Sequence, residues 1–145
     1  MKTVDEIQDE LINEFALLDG DMEMTVYYLM ELGQKLPPMR EADKTDMNMV
    51  KGCQSKVWLT ATLNEGRVFF AGDSNTAITK GLVSLLIRAF DGQQPETILG
   101  SNLYFMERIG MARFIGTQRS NGFAAMIKQI KWYAIAFKTQ LTENS

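Results

Sequence analysis

Histidine is absent from this chain of 145 residues, and cysteine occurs once, as Cys53. Without an imidazole, the chain cannot build a Ser-His-Asp triad, a Cys-His nucleophile pair or a histidine-ligated zinc or iron site. With a single thiol, it can form no internal disulfide, no Cys-x-x-Cys redox pair and no four-cysteine metal site by itself. What remains for chemistry is one thiol among carboxylates, amines and guanidiniums.

Long apolar runs and glycine-rich phosphate loops are also missing. No stretch approaches the roughly 20 consecutive apolar residues of a membrane span, and the acidic start of the chain does not resemble a signal peptide. The length suits one domain, residues 1–145. A lone unpaired cysteine is typical of a reducing compartment. We therefore expect a single cytoplasmic domain without a membrane segment.

Charge is distributed unevenly along the chain. Residues 1–50 contain twelve acidic and four basic side chains, a net charge of −8, whereas residues 51–145 contain six and eleven, a net charge of +5. Such an asymmetry can steer a charged partner, or it can reflect solvated helix faces of different sign. The basic residues are not clustered with aromatic ones, so nucleic-acid binding is not expected.

Apolar residues recur at helical spacing at both ends of the chain. Thr3 and Glu6 form a capping-box pattern, and Gly20 and Gly33 are predicted to end the first two helices. The ten methionines could form an adaptable binding surface, although their positions within predicted helices favour core packing. Later helices are predicted after Asp73-Ser74, either of which can cap, and over about 95–99, 103–109 and 122–137, with residues 141–145 frayed.

The middle of the chain changes to the period of a strand. Val57, Leu59, Ala61 and Leu63 alternate with more polar residues, and the Asn64-Glu65-Gly66 turn leads to a second strand over 67–71. A weaker signal predicts a third strand over 49–52. Helices on both sides of a hairpin predict an α+β fold, with a small antiparallel sheet of two to three strands packed with helices.

Cys53 lies between a polar connection, residues 40–48, and the first strand. Gly52 permits a tight turn beside the sulfur, and Lys51 and Lys56 could lower the thiol pKa and favour the thiolate. A thiolate can attack an activated S–S sulfur, hold sulfur as a persulfide, or oxidise to a sulfenic acid. The alternative is that Cys53 is a buried, inert side chain.

Arg119 is the second candidate site residue. It lies in the turn-rich segment 116–122 before the last predicted helix, where its guanidinium could hold an anion, a thiolate or a partner carboxylate. The alternative is a solvated arginine near a helix start. The segment from Gly72 to Asn75 has no metal-binding pattern, and helix capping is its expected role.

Four segments together resemble the SufE family of sulfur acceptors. They follow one another in the order of that family and span roughly residues 7–135. Asn75 differs from the family pattern, which usually has an acidic residue there. The matching segments are Glu31-Leu32-Gly33-Gln34-Lys35-Leu36-Pro37-Pro38, Val50-Lys51-Gly52-Cys53-Gln54-Ser55-Lys56-Val57-Trp58, the stretch from Gly72 to Leu82, and Arg119-Ser120-Asn121-Gly122-Phe123.

The resemblance implies a sulfur carrier that is not itself an enzyme. Its acceptor would be Cys53, with Lys51, Gly52, Gln54 and Arg119 in supporting or partner-binding roles. The partner implied is a SufS-like or CsdA-like cysteine desulfurase, which uses pyridoxal phosphate, so no cofactor or metal is expected on this chain. Sulfur would pass to an iron–sulfur scaffold complex, and the resting cysteine loop would be tucked inward. A regulatory module with a buried Cys53 and a thiol-dependent redox protein remain as alternatives.

Overall fold

The structure is a computed structural model that describes residues 1–143, and it confirms the α+β class. Seven α-helices surround one two-stranded antiparallel sheet in this part of the chain. Two single-turn 3₁₀ helices, over Glu41–Asp43 and Asp46–Asn48, lie in the polar connection before the cysteine. The elements are α1 (Val4–Ala16), α2 (Met22–Gln34), β1 (Val57–Asn64), β2 (Arg67–Ser74), α3 (Ala77–Phe90), α4 (Pro95–Gly100), α5 (Phe105–Ile109), α6 (Met111–Ile115) and α7 (Thr117–Glu143).

The hairpin forms as the alternating sequence predicts. Val57 pairs with Ser74 at one end and Asn64 with Arg67 at the other, and Glu65 and Gly66 both adopt positive φ in the two-residue turn. The predicted third strand is reduced to one bridge between Met49 and Trp58 and a hydrogen bond of 2.8 Å from Val50 N to Val57 O. The chain turns away at residues 51–52, so a longer pairing cannot form.

Helix α3 lies at the centre of the core and packs against both the hairpin and α2. The backbones of α2 and α3 approach so closely that a Cβ added at Gly81 would lie 2.2 Å from Leu29 O. Gly33 faces the same crossing, where an added Cβ would lie 2.7 Å from Gly81 N. Gly33 is therefore a packing residue inside α2, and the prediction that it caps the helix is wrong.

The predicted helix starts at the Thr3 capping box and at Pro95 are confirmed, whereas other predicted helix boundaries differ from the structure. The capping box of Thr3 and Glu6 is present, but α1 ends at Ala16, four residues before Gly20. Asp73 and Ser74 are the last residues of β2, so they do not cap α3, which follows Thr76. Tertiary hydrogen bonds and ion pairs use both side chains instead.

Helix α7 begins at Thr117, five residues before the predicted start, so most of the segment expected to be turn-rich forms its first turns. Gly122 lies inside this helix and is buried. Of the end predicted to be frayed, residues 141–143 are helical, and residues 144–145 lie outside the described part of the chain. No helix within residues 1–143 combines the length and the apolar character needed to cross a membrane.

Candidate functional site

Cys53 lies in the loop that joins the Met49 bridge to β1, and it points inward. Its side chain is half-buried, and its Sγ donates a hydrogen bond of 3.4 Å to the backbone oxygen of Gly122 on α7. Gly122 has no side chain, which makes room for the sulfur: a Cβ added there would lie 3.3 Å from Sγ. The preceding residue, Gly52, has a φ of +94°, a backbone conformation that favours glycine.

Burial raises the pKa of the Cys53 thiol. Lys51 and Lys56 are both exposed, and the expectation that they lower this pKa is wrong for the resting loop. The hydrogen bond to Gly122 O also requires the protonated form, because a thiolate has no proton to donate. The resting site therefore holds a neutral and weakly nucleophilic thiol.

A cavity of about 370 Å³ opens beside the sulfur. It is formed where the cysteine loop meets the start of α3 and the junction between α6 and α7. Within residues 1–143, Arg119 has no acidic partner in a salt bridge, and its Nη1 donates to Ile115 O at 3.2 Å. The lining residues are Cys53, Gln54, Ser55, Thr79, Ile115, Gly116, Thr117, Gln118, Arg119, Gly122 and Met126.

The structure brings together some of the candidate residues and separates another. Cys53, Gln54 and Arg119 line one cavity. Gly52 directly precedes Cys53 in the sequence. Lys51 instead lines a neighbouring groove together with Trp132 on α7.

Sequence reasoning missed the roles of Gly122 and Thr79 at the cavity. No local signal marks either one, because each meets the cysteine loop only through the tertiary fold.

The C-terminal side of the cysteine loop is anchored to the start of α3. The hydroxyl groups of Thr76 and Thr79 lie 2.9 Å and 3.3 Å from Ser55 Oγ. Asn75 and Lys56 make two further bonds, of 3.0 Å from Lys56 N to Asn75 Oδ1 and 3.2 Å from Asn75 N to Lys56 O. Asn75, which departs from the family pattern, thus supplies an acceptor that fixes the loop.

The connection that precedes the cysteine loop is fixed by the buried carboxylate of Asp73, which pairs with Lys44 in that connection. Asp73 lies 3.1 Å from Lys44 Nζ and 3.3 Å from Lys80 Nζ, and Ser74 N donates to it at 2.8 Å. Burial acts to raise the pKa of Asp73, but the bonds from Lys44, Ser74 and Lys80 together outweigh burial and hold that pKa below its usual value. Residues 51–54 are thus the part of the loop between two fixed ends.

The residues at this site suit nucleophilic sulfur chemistry. Within residues 1–143, no group of three or more carboxylate or thiol side chains is placed to hold a metal ion. The cavity contains one thiol, one guanidinium and several hydroxyl groups, and a titratable base is not among its lining residues. Such a site can accept an electrophilic sulfur from a partner, and it lacks the groups for acid–base catalysis.

Comparisons with known proteins agree on one family. Residues 9–134 match the family model SufE, described as an Fe-S metabolism associated domain. An uncharacterized SufE-like protein of Synechocystis sp. (strain ATCC 27184 / PCC 6803 / Kazusa) is 40% identical over 110 residues, covering 76% of this chain and 69% of the relative. One from Rhizobium meliloti (strain 1021) is 36% identical over 128 residues, covering 85% and 91%.

A solved structure shares the fold. The solution structure of a hypothetical protein from Thermus thermophilus is similar with a TM-score of 0.75, covering 92% of this chain and 96% of that chain. At 20% sequence identity, this similarity concerns the fold alone.

Proposed function

The chain belongs to the SufE family of Fe-S metabolism associated domains, and we propose that it carries sulfur for iron–sulfur cluster assembly through a persulfide on Cys53. The donor is a cysteine desulfurase of the SufS-like or CsdA-like type, and the pyridoxal phosphate of the reaction belongs to that enzyme. The sulfur then passes to an iron–sulfur scaffold complex. In this role the chain is a carrier and an activator of the desulfurase, and it needs no cofactor of its own.

The proposed transfer is a thiol exchange that balances without an added oxidant. The Cys53 thiolate attacks the terminal sulfur of the desulfurase persulfide, and a new S–S bond forms on Cys53. The S–S bond of the donor breaks, and the desulfurase cysteine leaves as a thiolate. The terminal sulfur keeps its proton and its oxidation level. Release of the donor cysteine frees the desulfurase for another turnover, so the acceptor should stimulate the enzyme.

The observation that carries the proposal is the position of the sole cysteine beside a cavity that also contains Arg119. The cavity has room for one added sulfur atom. A persulfide is more acidic than a thiol and becomes an anion, so a guanidinium without an acidic partner suits it. Two separate SufE-like segments, at residues 50–58 and 119–123, meet at this place.

The half-buried resting thiol supports a role for the partner in activation. Its raised pKa and its bond to Gly122 O keep it unreactive while the loop is tucked in. We propose that docking to the desulfurase draws the loop outward about Gly52, with Lys51, Gln54 and Arg119 as contacts, and exposes the sulfur as a thiolate. The same inward pocket would later shield a loaded persulfide from reductants.

Mass spectrometry with candidate desulfurases tests the acceptor role. After incubation with the cognate desulfurase and free cysteine, the chain should gain about 32 Da, the mass of one sulfur atom, and dithiothreitol should remove it. The rate of alanine formation by the desulfurase should rise in the same mixture.

Cys53→Ser is the matched control, because it removes the only thiol and keeps a similar volume. It should fold normally, gain no mass and leave the desulfurase unstimulated. An equal gain of mass in Cys53→Ser, or none in the wild type with any candidate desulfurase, would contradict the proposal. Peroxide consumption by Cys53 with an external thiol would favour a redox role instead.

A further inference from the structure

Several apolar side chains of α2 point away from the core, although Leu29 is buried and Tyr28 and Leu32 pack against the core. The buried residues of α2 are Thr25, Leu29 and Gly33, a stripe of mostly small side chains that fits the close crossing with α3. Tyr27 is 71% exposed, Met24 is 55% exposed and Met22 is 48% exposed, so three large apolar side chains of the helix remain in solvent. The interpretation that the methionines of this helix pack in the core is wrong here.

These side chains form a groove of about 740 Å³, the α2 groove. It shares no lining residue with the Cys53 cavity. Apolar surface of this kind on a helix is costly to leave in water, and it commonly marks an interaction site. Its lining includes the apolar side chains of Met22, Met24, Tyr27 and Met30 and the carboxylates of Glu23 and Glu31.

The groove has an acidic rim. Residues 17–34 contain Asp19, Asp21, Glu23 and Glu31 and no lysine or arginine. Within residues 1–143, neither Glu23 nor Glu31 takes part in a salt bridge. Arg88, which acts on the Tyr28 hydroxyl, pairs with Glu10 and Glu14. Lys35, directly after α2, is the basic residue next to this segment in the sequence.

We propose that the α2 groove binds a basic amphipathic helix of a partner protein. Methionine side chains are flexible and polarisable, so they adapt to an apolar helix face, and Tyr27 provides a large rigid contact. Lysine and arginine residues beside that apolar face would meet Glu23 and Glu31. A helix of about four turns matches the roughly 20 Å length of α2.

A second copy of this chain is disfavoured as the occupant. A two-fold dimer would place the same surface opposite itself, so that Glu23 and Glu31 would face equivalent carboxylates. Like charges across an interface oppose association. A binding site for a basic helix is independent of the sulfur chemistry proposed for Cys53, because it uses a different surface.

Fluorescence anisotropy with a synthetic peptide tests the proposal. The probe is a labelled peptide of about 14 residues with leucine at i, i+3, i+4 and i+7 and lysine at the remaining positions. It should bind the full chain, whereas a scrambled peptide of equal composition and a glutamate version should bind at least about tenfold more weakly. Chemical-shift changes in NMR spectra should cluster at residues 17–34.

Three variants identify the surface. Tyr27→Ser, at an exposed position that should not affect folding, should weaken binding about tenfold. The double variant Glu23→Lys with Glu31→Lys should lose the lysine peptide and gain the glutamate peptide. Met47→Ser is the matched control, since Met47 is 91% exposed and lies outside the groove, and it should bind as the wild type does.

Equal binding of the scrambled peptide, or unchanged binding in Tyr27→Ser, would overturn the proposal. Analytical sedimentation of the chain alone tests whether a second copy occupies the groove. A dimer that Tyr27→Ser disrupts would assign the groove to a second copy and would also overturn the proposal.

Discussion

At the scale of single residues, the sulfur of Cys53 rests against a glycine 69 residues away in the sequence. Gly122 supplies both the space that the sulfur occupies and the carbonyl that accepts its hydrogen bond. A larger residue would compete with the sulfur for this space. The contact thus links the conformation of the cysteine loop to the identity of one buried position on α7.

We expect Gly122→Ala to loosen the cysteine loop. The new methyl group would lie 3.3 Å from Sγ, closer than comfortable contact, so the sulfur must shift outward. The gain in helix propensity of up to about 1 kcal/mol should offset much of the crowding, which keeps the stability change small. The measurement is the rate of thiol labelling by an aromatic disulfide as the pH is raised.

In the wild type, burial raises the pKa of Cys53, so the labelling rate should still be climbing above about pH 8.5, the ordinary thiol value. The variant should react faster at neutral pH and reach its plateau at a lower pH. Ala124→Ser, an exposed change on the same helix, is the control and should label as the wild type does. Slower labelling in Gly122→Ala would show that the sulfur is not displaced.

At the scale of elements, the crossing of α2 and α3 is set by a pair of glycines. Gly33 and Gly81 allow the two backbones to meet, and this contact orients α2 so that a narrow stripe is buried. Helical periodicity predicted both helices. It could not predict which side of α2 faces inward, because apolar residues occur around most of its circumference.

Gly81→Ala should destabilise the protein by about 1–3 kcal/mol, since its Cβ would lie 2.2 Å from Leu29 O and the helices would have to separate. Urea unfolding followed by circular dichroism measures the change. Gly100→Ala is the matched control, because the space around Gly100 is open. It should be neutral or slightly stabilising, so equal losses in the two variants would contradict the role of the crossing.

At the scale of the whole molecule, Asp73 joins parts of the chain that are distant in sequence. Lys44 comes from the connection before the cysteine loop, Asp73 from the end of β2 and Lys80 from α3. The two ion pairs tie the connection that precedes the cysteine loop to the end of β2 and to α3. The carboxylate is buried, whereas both lysines are partly exposed. Its removal should therefore affect global stability and loop position together.

Asp73→Asn should lower the free energy of unfolding by about 1–3 kcal/mol at neutral pH, because a buried carboxylate loses its ion pairs with two partly exposed lysines. The folded-state pKa of Asp73 is lowered, so its contribution is complete above the unfolded value of about 4 and is lost as the pH falls through the folded pKa. Urea unfolding between neutral and acid pH should show the two proteins converging below about pH 4.

Asp46→Asn is the control for this prediction, because Asp46 is exposed in the same connection and forms no salt bridge within residues 1–143. It should change stability little and show no such convergence. A difference between wild type and Asp73→Asn that stays constant down to pH 2, about two units below the ordinary value, would contradict the assigned cause.

The sequence by itself determined the inventory of chemistry and the local elements. One thiol and no imidazole exclude histidine-based mechanisms and internal disulfides. The segment around Cys53 resembles the SufE acceptor. The hairpin and the start of α1 followed from alternation, turn residues and a capping box, which act over a few residues. These features depend on neighbours in the chain, so a linear pattern is enough to predict them.

The tertiary structure decided how far the Cys53 thiol is buried and which side chains of α2 are exposed. Long-range contacts bury Cys53 against Gly122, so its pKa rises although two lysines flank it in sequence. Packing at the Gly81 crossing leaves Met22 and Met24 of α2 exposed. The burial of a side chain and the direction in which a helix face points depend on which elements meet in space. The spacing of residues along one element does not contain that information.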